Sequence, residues 1–202
     1  MKTNFKPTLH GYSFINRFEL KGFNKLSKFI KNNFIYGMCG GMVFSALDCY
    51  FDQKKIPGYN LVEELPKYYA NYLWKRQKDS TSFAVLIKIL RYATYPKLKS
   101  IRKSIFEELP LIIDRLNDDL PVPLVIIRSS LFQNPTHNHQ VLVTGYEVWE
   151  HTVDLFLYDP NHPNDHPLLI VKKRPELSIE QSSGEPARGF FINSYSYKFS
   201  FE

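Results

Sequence analysis

The chain has 202 residues, of which 44% are apolar and 23% are charged. That balance is typical of a globular protein and excludes a chain that is mostly disordered for want of a core. Two cysteines are too few for a disulfide framework, and the net charge of +6 is spread along the chain rather than concentrated on a nucleic-acid-binding face. We therefore expect no nucleic-acid partner.

The sequence carries no recognisable targeting or membrane-spanning segment. Residues 1–23 lack the apolar core that a secretory signal peptide requires. The longest uncharged stretch, residues 32–47, is too short and too polar to span a bilayer. We expect a chain without a transmembrane segment that is cytoplasmic, or exported without a signal peptide of the usual kind.

No internal repeat or flexible linker divides the sequence. We therefore predict a single domain over residues 1–202, with a helical part at about 20–120 and a sheet at about 121–202. The segment Cys39–Phe51 is apolar nearly all round, which predicts a buried helix. A second helix is predicted over Asn60–Gln77, with Pro66 as a break or a late start.

The spacing of apolar residues predicts a third helix over about 80–95 and a fourth over about 104–120. Ser104 and Glu107 form a capping-box pattern, which predicts that the fourth helix begins there. Pro110 falls inside this helix and predicts a kink.

In the second half of the chain the apolar period changes to two, which is typical of strands. The predicted strands are Leu124–Ile127, Gln140–Tyr146, Val153–Tyr158, Leu168–Val171 and Phe190–Phe201. Helices followed by consecutive strands with short connections predict an α+β fold. The buried helix would pack on an antiparallel sheet, and the cleft between these two layers would hold a site.

Cys39 stands at the start of the predicted buried helix, in the glycine-rich segment Gly37–Gly41. The unpaired N–H groups and the dipole of a helix N-terminus stabilise a thiolate, which is the nucleophilic form of cysteine. The glycines would leave room for a substrate to approach the backbone. The alternative is a small buried residue beside a tight turn, and we assign that role to Cys49, inside the same helix.

A nucleophilic cysteine needs a base and a group that orients the base. His139 opens a predicted strand, so its imidazole would lie at the sheet end, facing the start of the helix. Asp159 follows the next strand, and antiparallel pairing would bring it back beside His139. Asn161 is the substitute orienting group. The alternatives are a surface histidine and an ordinary Asp-Pro-Asn turn.

These three segments resemble the papain-like cysteine peptidases, in the style of the bacterial double-glycine leader peptidases. In those proteins a Cys-Gly pair starts the central helix, the histidine begins a strand ending in Gly-Tyr, and Asp-Pro follows the next strand. The matching positions here are Cys39-Gly40, His139 with Gly145-Tyr146, and Asp159-Pro160. The family places a glutamine six residues before the nucleophile. Asn33 stands there in this chain and is the candidate oxyanion donor, beside the backbone N–H of Cys39.

The chain is also similar to uncharacterised bacterial papain-like proteins, through Gly37–Met42 and the Ala-Leu-Asp at 46–48. The resemblance implies a papain-like fold and a cysteine peptidase or amidase that acts on a peptide, protein or amide through an acyl-thioester, without a metal or organic cofactor. The same triad serves acyl transfer, deamidation and transglutamination. Aligned instead on the Cys-Gly-Ser-Cys-Trp of plant-type enzymes, Met42 would take the nucleophile position and the chain would be an inactive binding module.

Other interpretations stay open. Five of the six histidines follow residue 136, so His137 and His139 are candidates for a zinc or iron site, which Asp159, Asp165 or His162 would complete. The tyrosine-rich segment 59–74 would form the recognition surface of a non-catalytic binding module. Four lysines within residues 21–31 make a basic amphipathic segment, which we interpret as a solvated helix face, with an anionic membrane or partner as the alternative.

Overall fold

The computed structural model describes residues 1–19, 35–130 and 138–198. The α-helices are α1 Pro7–His10, α2 Cys39–Phe51, α3 Lys67–Ser80, α4 Phe83–Thr94, α5 Lys97–Lys103 and α6 Leu109–Asn117. A 3-10 helix, Val62–Glu64, precedes α3, and a π-helical turn, Ser104–Glu108, joins α5 to α6. The strands are β1 Phe18–Glu19, β2 Ile35–Tyr36, β3 Val122–Ile127, β4 His139–Val148, β5 Thr152–Tyr158, β6 Leu168–Lys172, β7 Ser178–Gln181 and β8 Gly189–Ile192.

A six-stranded sheet with the order β7-β6-β5-β4-β3-β8 forms the centre of the fold. Every pair of neighbouring strands in it is antiparallel. The strands β1 and β2 form a separate antiparallel pair. The combination of helices with an antiparallel sheet is α+β, which confirms the fold class predicted from the sequence.

Helices cover both faces of this sheet, whereas the sequence led us to expect two layers. On β3, Leu124 and Ile126 pack with the buried side chains of α5, the π-turn and α6. Val125 and Ile127 alternate with them and pack against α4 on the opposite face. The buried helix α2 lies on the same side as α4, where Leu142 of β4 joins its core. Each face of the central strands is therefore apolar.

Helix α2 is buried along nearly its whole length, as predicted. Its two buried polar side chains, Ser45 and Asp48, form hydrogen bonds within the protein, which makes their burial possible. The hydroxyl of Ser45 donates to the carbonyl of Gly41 at 2.7 Å. Asp48 lies 2.7 Å from Nε of Arg76, itself buried, and accepts hydrogen bonds from the hydroxyls of Tyr72 and Tyr195. A buried charge is tolerated only when it is paired and hydrogen-bonded in this way.

One helix boundary was left open by the sequence, and another differs from that predicted. The second helix, α3, begins at Lys67, directly after Pro66, which is the late start that the proline allows. The predicted start at Ser104 is wrong, because residues 97–117 are helical without a break. The Ser104 hydroxyl accepts a hydrogen bond from the backbone N–H of Phe190 at 2.7 Å instead of capping a helix. The helix is π-helical just before Pro110, the position where the sequence predicts a kink.

The last strand is shorter than predicted, and three short strands, β1, β2 and β7, were not predicted. β8 ends at Ile192, and residues 193–198 are not part of the sheet. Their backbone groups bond to side chains of the helices: Arg76 donates to the carbonyl of Ser196, and Asp48 accepts from the N–H of Lys198. The short strand β7 has no clean apolar alternation, which is why the sequence does not predict it.

In the described ranges, no helix is long and apolar enough to cross a bilayer.

Candidate active site

Cys39 is the first residue of α2 and remains partly exposed, whereas the ten residues that follow it are buried. The side chain of His139, the first residue of β4, lies close enough to the Cys39 thiol to lower its pKa. The start of the helix and the start of the strand therefore meet at one point. This is the juxtaposition that the sequence predicts for a nucleophile and its base.

Asp159 follows β5 directly, and its carboxylate lies on the other side of the imidazole. Nε2 of His139 is 2.5 Å from Oδ1 of Asp159, and both side chains are buried. The pairing of β4 with β5, in which Leu142 faces Tyr158, brings the start of one strand beside the end of the other. Since Asp159 takes Nε2, the remaining ring nitrogen, Nδ1, is the one available to the thiol.

The electrostatics of the imidazole favour its protonated form. Burial lowers the pKa of His139, but the adjacent Asp159 carboxylate and the Cys39 thiol together raise it to about 9. Burial raises the pKa of Asp159, and this is outweighed by the imidazolium, by the N–H of Asn161 and by His162, so the pKa of this carboxyl is below its usual range. The acid is therefore ionised and the imidazole is charged at neutral pH.

The thiol is activated by its neighbours. Burial raises the pKa of Cys39, but the hydrogen bond and the charge of His139, together with the backbone N–H groups of Gln140 and Gly40, bring it below its ordinary value. For Cys49 the direction is opposite, because burial and the nearby Asp48 and Asp52 raise its pKa to about 12. The pKa shifts of the two cysteines are therefore opposite in direction, downward for Cys39 and upward for Cys49.

The sequence analysis named Asn161 as a substitute for Asp159 in orienting His139, but the Asn161 side chain has other partners. Its backbone N–H donates to Oδ1 of Asp159 at 2.8 Å, and its side-chain oxygen accepts from Nδ2 of Asn16 at 3.0 Å. The Asn161 side chain is therefore directed toward Asn16 and supports the acid only through its backbone.

Asn16 is a residue of the site that the sequence analysis missed. Its Oδ1 accepts from the backbone N–H of Met38 at 2.5 Å, and its own N–H donates to the carbonyl of Pro160 at 2.9 Å. It thereby connects the loop after Asp159 to the residue before Cys39. No pattern in the sequence marks it, because it lies far upstream in an irregular segment.

The glycines beside the nucleophile serve packing, which corrects their assignment to substrate access. A Cβ on Gly40 would lie 2.0 Å from Oγ of Ser80 and 2.6 Å from Oε1 of Gln140. A Cβ on Gly41 would lie 2.4 Å from the carbonyl oxygen of Leu73 in α3. Only glycine lets the start of α2 approach the sheet and α3 so closely. Gly37 is exposed, and a Cβ there would meet the Asn16 amide at 2.8 Å.

Ser80 and Gln140, the residues that pack against Gly40, are joined by hydrogen bonds from Asn193. Nδ2 of Asn193 donates to Oε1 of Gln140 at 2.8 Å and to the carbonyl of Ser80 at 2.9 Å. All three residues are buried. Since the backbone N–H of Gln140 is among the groups that lower the pKa of Cys39, this network positions a group that favours the thiolate.

Several predicted residues fall outside the described ranges: Asn33, His137 and the lysines of residues 21–31. Among the residues that are described, no three His, Cys, Asp or Glu side chains form a group that could hold a metal ion. His162 lies 3.6 Å from Asp165 and 3.6 Å from Glu185, in a half-exposed pair of contacts. Nothing in the described chain therefore supports the metal-site interpretation.

The tyrosine-rich segment is only partly a surface. Tyr69 is in the core and Tyr72 bonds to Asp48, whereas Tyr68 and Trp74 are largely exposed.

Comparison of the chain with family models, curated proteins and solved structures gives no match. We therefore infer the function from the contacts of Cys39, His139 and Asp159.

Proposed function

We propose that this chain is a papain-like cysteine hydrolase that cleaves a peptide or amide bond. The observation that carries the proposal is the unbroken set of contacts from the Asp159 carboxylate through His139 to the Cys39 thiol. An activated thiol requires a base within hydrogen-bond reach, and the base requires a group that orients it. Both requirements are met by buried groups.

The reaction follows from the protonation states. The Cys39 thiolate attacks the carbonyl carbon, and the carbonyl electrons move to its oxygen. When that tetrahedral species collapses, the C–N bond breaks and the His139 imidazolium gives its proton to the departing amine. The acyl group is then a thioester on Cys39. His139 next takes a proton from water, whose oxygen attacks the thioester, and the acid leaves as the thiolate is restored.

The developing oxyanion needs donors at the start of α2. The N–H of Gly41 is already bonded to Oε1 of Gln77 at 2.8 Å, and that of Met42 to the carbonyl of Met38 at 2.9 Å. The backbone N–H of Cys39 is therefore the donor that we assign, with the amide of Asn33 as its proposed companion.

The burial of Met42 supports Cys39 as the nucleophile. The alternative alignment, in which Met42 takes the place of the nucleophile, would make the chain an inactive binding module. Met42 is fully buried in the core formed by α2 and α3. A side chain in that position has no access to a substrate, whereas Cys39 is partly exposed.

Cleavage of a peptide library tests the proposal directly. Wild type, Cys39→Ala and Cys49→Ala would each be incubated with a mixture of peptides of varied sequence, and new termini would be counted by mass spectrometry. We expect new termini with wild type and with Cys49→Ala, and none with Cys39→Ala. Equal cleavage by Cys39→Ala, or no product from wild type, would contradict a peptidase. Peptides joined to added amines would assign the acyl-thioester to transfer instead of hydrolysis.

A further inference from the structure

The first turn of α2 is held by a chain of hydrogen bonds that begins at Asn193, the residue after β8. Nδ2 of Asn193 donates to Oε1 of Gln140 at 2.8 Å and to the carbonyl of Ser80 at 2.9 Å. Nε2 of Gln140 donates to the hydroxyl oxygen of Ser80 at 3.3 Å, and that hydroxyl donates to the carbonyl of Gln77 at 2.9 Å. Oε1 of Gln77 accepts from the N–H of Gly41 in α2 at 2.8 Å. We call Asn193, Gln140, Ser80 and Gln77 the Asn193 network.

The carbonyl of Ser80 fixes the direction of every bond in the Asn193 network. A carbonyl only accepts, so Asn193 must present Nδ2 to it. The same NH2 group then faces Oε1 of Gln140, which leaves Nε2 of Gln140 for the Ser80 hydroxyl. In the part of the chain that the structure describes, Oδ1 of Asn193 is buried without a hydrogen-bond partner. Because an unpaired buried acceptor is unfavourable, the contribution of asparagine at this position is its donor.

Gly40 packs directly on the Asn193 network. A Cβ on Gly40 would lie 2.6 Å from Oε1 and 2.7 Å from Cδ of Gln140. Gly40 follows Cys39 in the chain, and Gln140 follows His139. The contact between Gly40 and Gln140 is therefore one residue away from the nucleophile on one side and from its base on the other. The position of the Gln140 side chain thus limits how closely the start of α2 approaches the start of β4.

Asn193 is itself held on both sides. Its backbone N–H donates to the carbonyl of Pro123 in β3 at 2.9 Å. Three residues later, the carbonyl of Ser196 accepts from Arg76 at 2.9 Å, and Arg76 is buried against Asp48. The Asn193 side chain is only 1% exposed. A side chain that is fixed in this way by packing and by hydrogen bonds can hold another group in place.

We propose that Asn193 is a positioning residue of the candidate active site. Through Gln140 and Gly40, it sets the distance between the Cys39 thiol and the His139 imidazole. This role rests on the proposed function, in which that thiol is the nucleophile and that imidazole is its base. Rates depend steeply on such distances, since a displacement of 1 Å costs about a hundredfold.

A residue that only stabilised the fold would have a different effect on the thiol. Its loss would lower the midpoint of unfolding and leave the pH dependence of Cys39 unchanged. A residue that positions α2 against β4 would change that pH dependence as well. His139 is among the groups that lower the pKa of Cys39. If the two side chains separate, the pKa of Cys39 therefore rises.

Alkylation of Cys39 by iodoacetamide, followed against pH by peptide mass spectrometry, tests the proposal. In Asn193→Ala we expect the pH of half-maximal rate to rise by about half a unit to one unit. The rate at pH 7 should fall about threefold to tenfold. Asn193→Asp keeps the shape of the side chain, but an ionised carboxylate only accepts. It should therefore show at least the same upward shift.

Ser104→Ala is the matched control. Ser104 is as buried as Asn193, and its hydroxyl bonds to the N–H and the carbonyl of Phe190 in β8. Phe190 packs in the core on the face of the sheet that α2 does not cover. We expect Ser104→Ala to lower the midpoint of unfolding in urea, as Asn193→Ala does, and to leave the pH profile of Cys39 unchanged.

A double variant shows whether Asn193 acts through Gln140. If it does, adding Asn193→Ala to Gln140→Ala should shift the profile no further, whereas independent contributions would add. Circular dichroism would establish that each variant folds. Asn193→Ser, which keeps a hydroxyl donor, would replace Asn193→Ala if that variant did not fold.

Three results would overturn the positioning role while leaving the proposed function intact. They are an unchanged profile in Asn193→Ala, an equal shift in Ser104→Ala, and additive shifts in the double variant. Failure of the proposed function has another signature, which is an ordinary thiol profile for Cys39 in wild type. That result would overturn both.

Discussion

Nε2 of His139 lies 2.5 Å from Oδ1 of Asp159 although the two residues are separated by 19 others along the chain. The contact exists because β4 and β5 are antiparallel neighbours, so that the first residue of one strand meets the residue after the other. It fixes which ring nitrogen remains for Cys39 and supplies the negative charge that keeps the imidazole protonated. The properties of the thiol therefore depend on this contact.

Replacing Asp159 by asparagine should lower the pKa of His139. Burial alone lowers it, and only the carboxylate and the thiol raise it to about 9. Without the carboxylate we expect a pKa at least one unit lower, which corresponds to about tenfold less imidazolium above that pKa. The proton resonances of the imidazole, followed by NMR against pH, measure this. Asp165→Asn, an exposed carboxylate in the same loop, is the control, and an equal shift there would contradict the assignment.

Asn16→Ala should slow the reaction of Cys39 while leaving the His139–Asp159 contact intact. The substitution removes the acceptor for the Met38 N–H and the donor to Asn161, at a cost of about 1–3 kcal/mol in the free energy of unfolding. We expect alkylation of Cys39 at neutral pH to slow severalfold, with the pKa of His139 unchanged. Asn71→Ala, on the exposed side of α3, is the matched control. An unchanged alkylation rate in Asn16→Ala would remove Asn16 from the site.

Gly40→Ala should destabilise the fold, because its Cβ would overlap Ser80 Oγ and Gln140 Oε1. Overpacking of this kind costs about 1–3 kcal/mol, measurable as a lower midpoint of unfolding in denaturant. Gly58→Ala is the control, since a Cβ there would have no neighbour within 4 Å. Adding Ser80→Ala to Gly40→Ala removes the nearest atom and should recover part of the loss. A Gly40→Ala variant as stable as wild type would contradict the close approach.

The main elements could be predicted from the sequence because local pattern decides them. Helix α2 is apolar all round, β4 is buried on both faces and β5 alternates, and their chain order placed Cys39, His139 and Asp159 at one end of the sheet. The contact of His139 with Asp159 follows from two strands that are neighbours in sequence and in space. The catalytic roles of these residues stay predictions.

The remaining features could not be predicted, because they depend on long-range contacts. Asn16 reaches Met38 across an irregular segment, and nothing in its neighbourhood in the sequence distinguishes it. The alternating pattern after Ile192 indicates a strand, but the buried pair of Asp48 and Arg76 binds that backbone instead. The packing of Gly41 against α3 is equally invisible in a sequence, since it depends on how closely two helices cross.

The most direct test of the central claim is the pH dependence of alkylation of the two cysteines in wild type. Iodoacetamide labelling would be followed at Cys39 and Cys49 by peptide mass spectrometry, so that Cys49 serves as an internal control. Because the pKa of Cys39 is lowered and that of Cys49 is raised to about 12, labelling of Cys39 should be fast and its rate should reach half its maximum below pH ~8.5, the ordinary thiol value. In His139→Ala the midpoint should move upward. Equal, slow labelling of both cysteines, or a Cys39 profile unaffected by His139→Ala, would contradict an activated nucleophile.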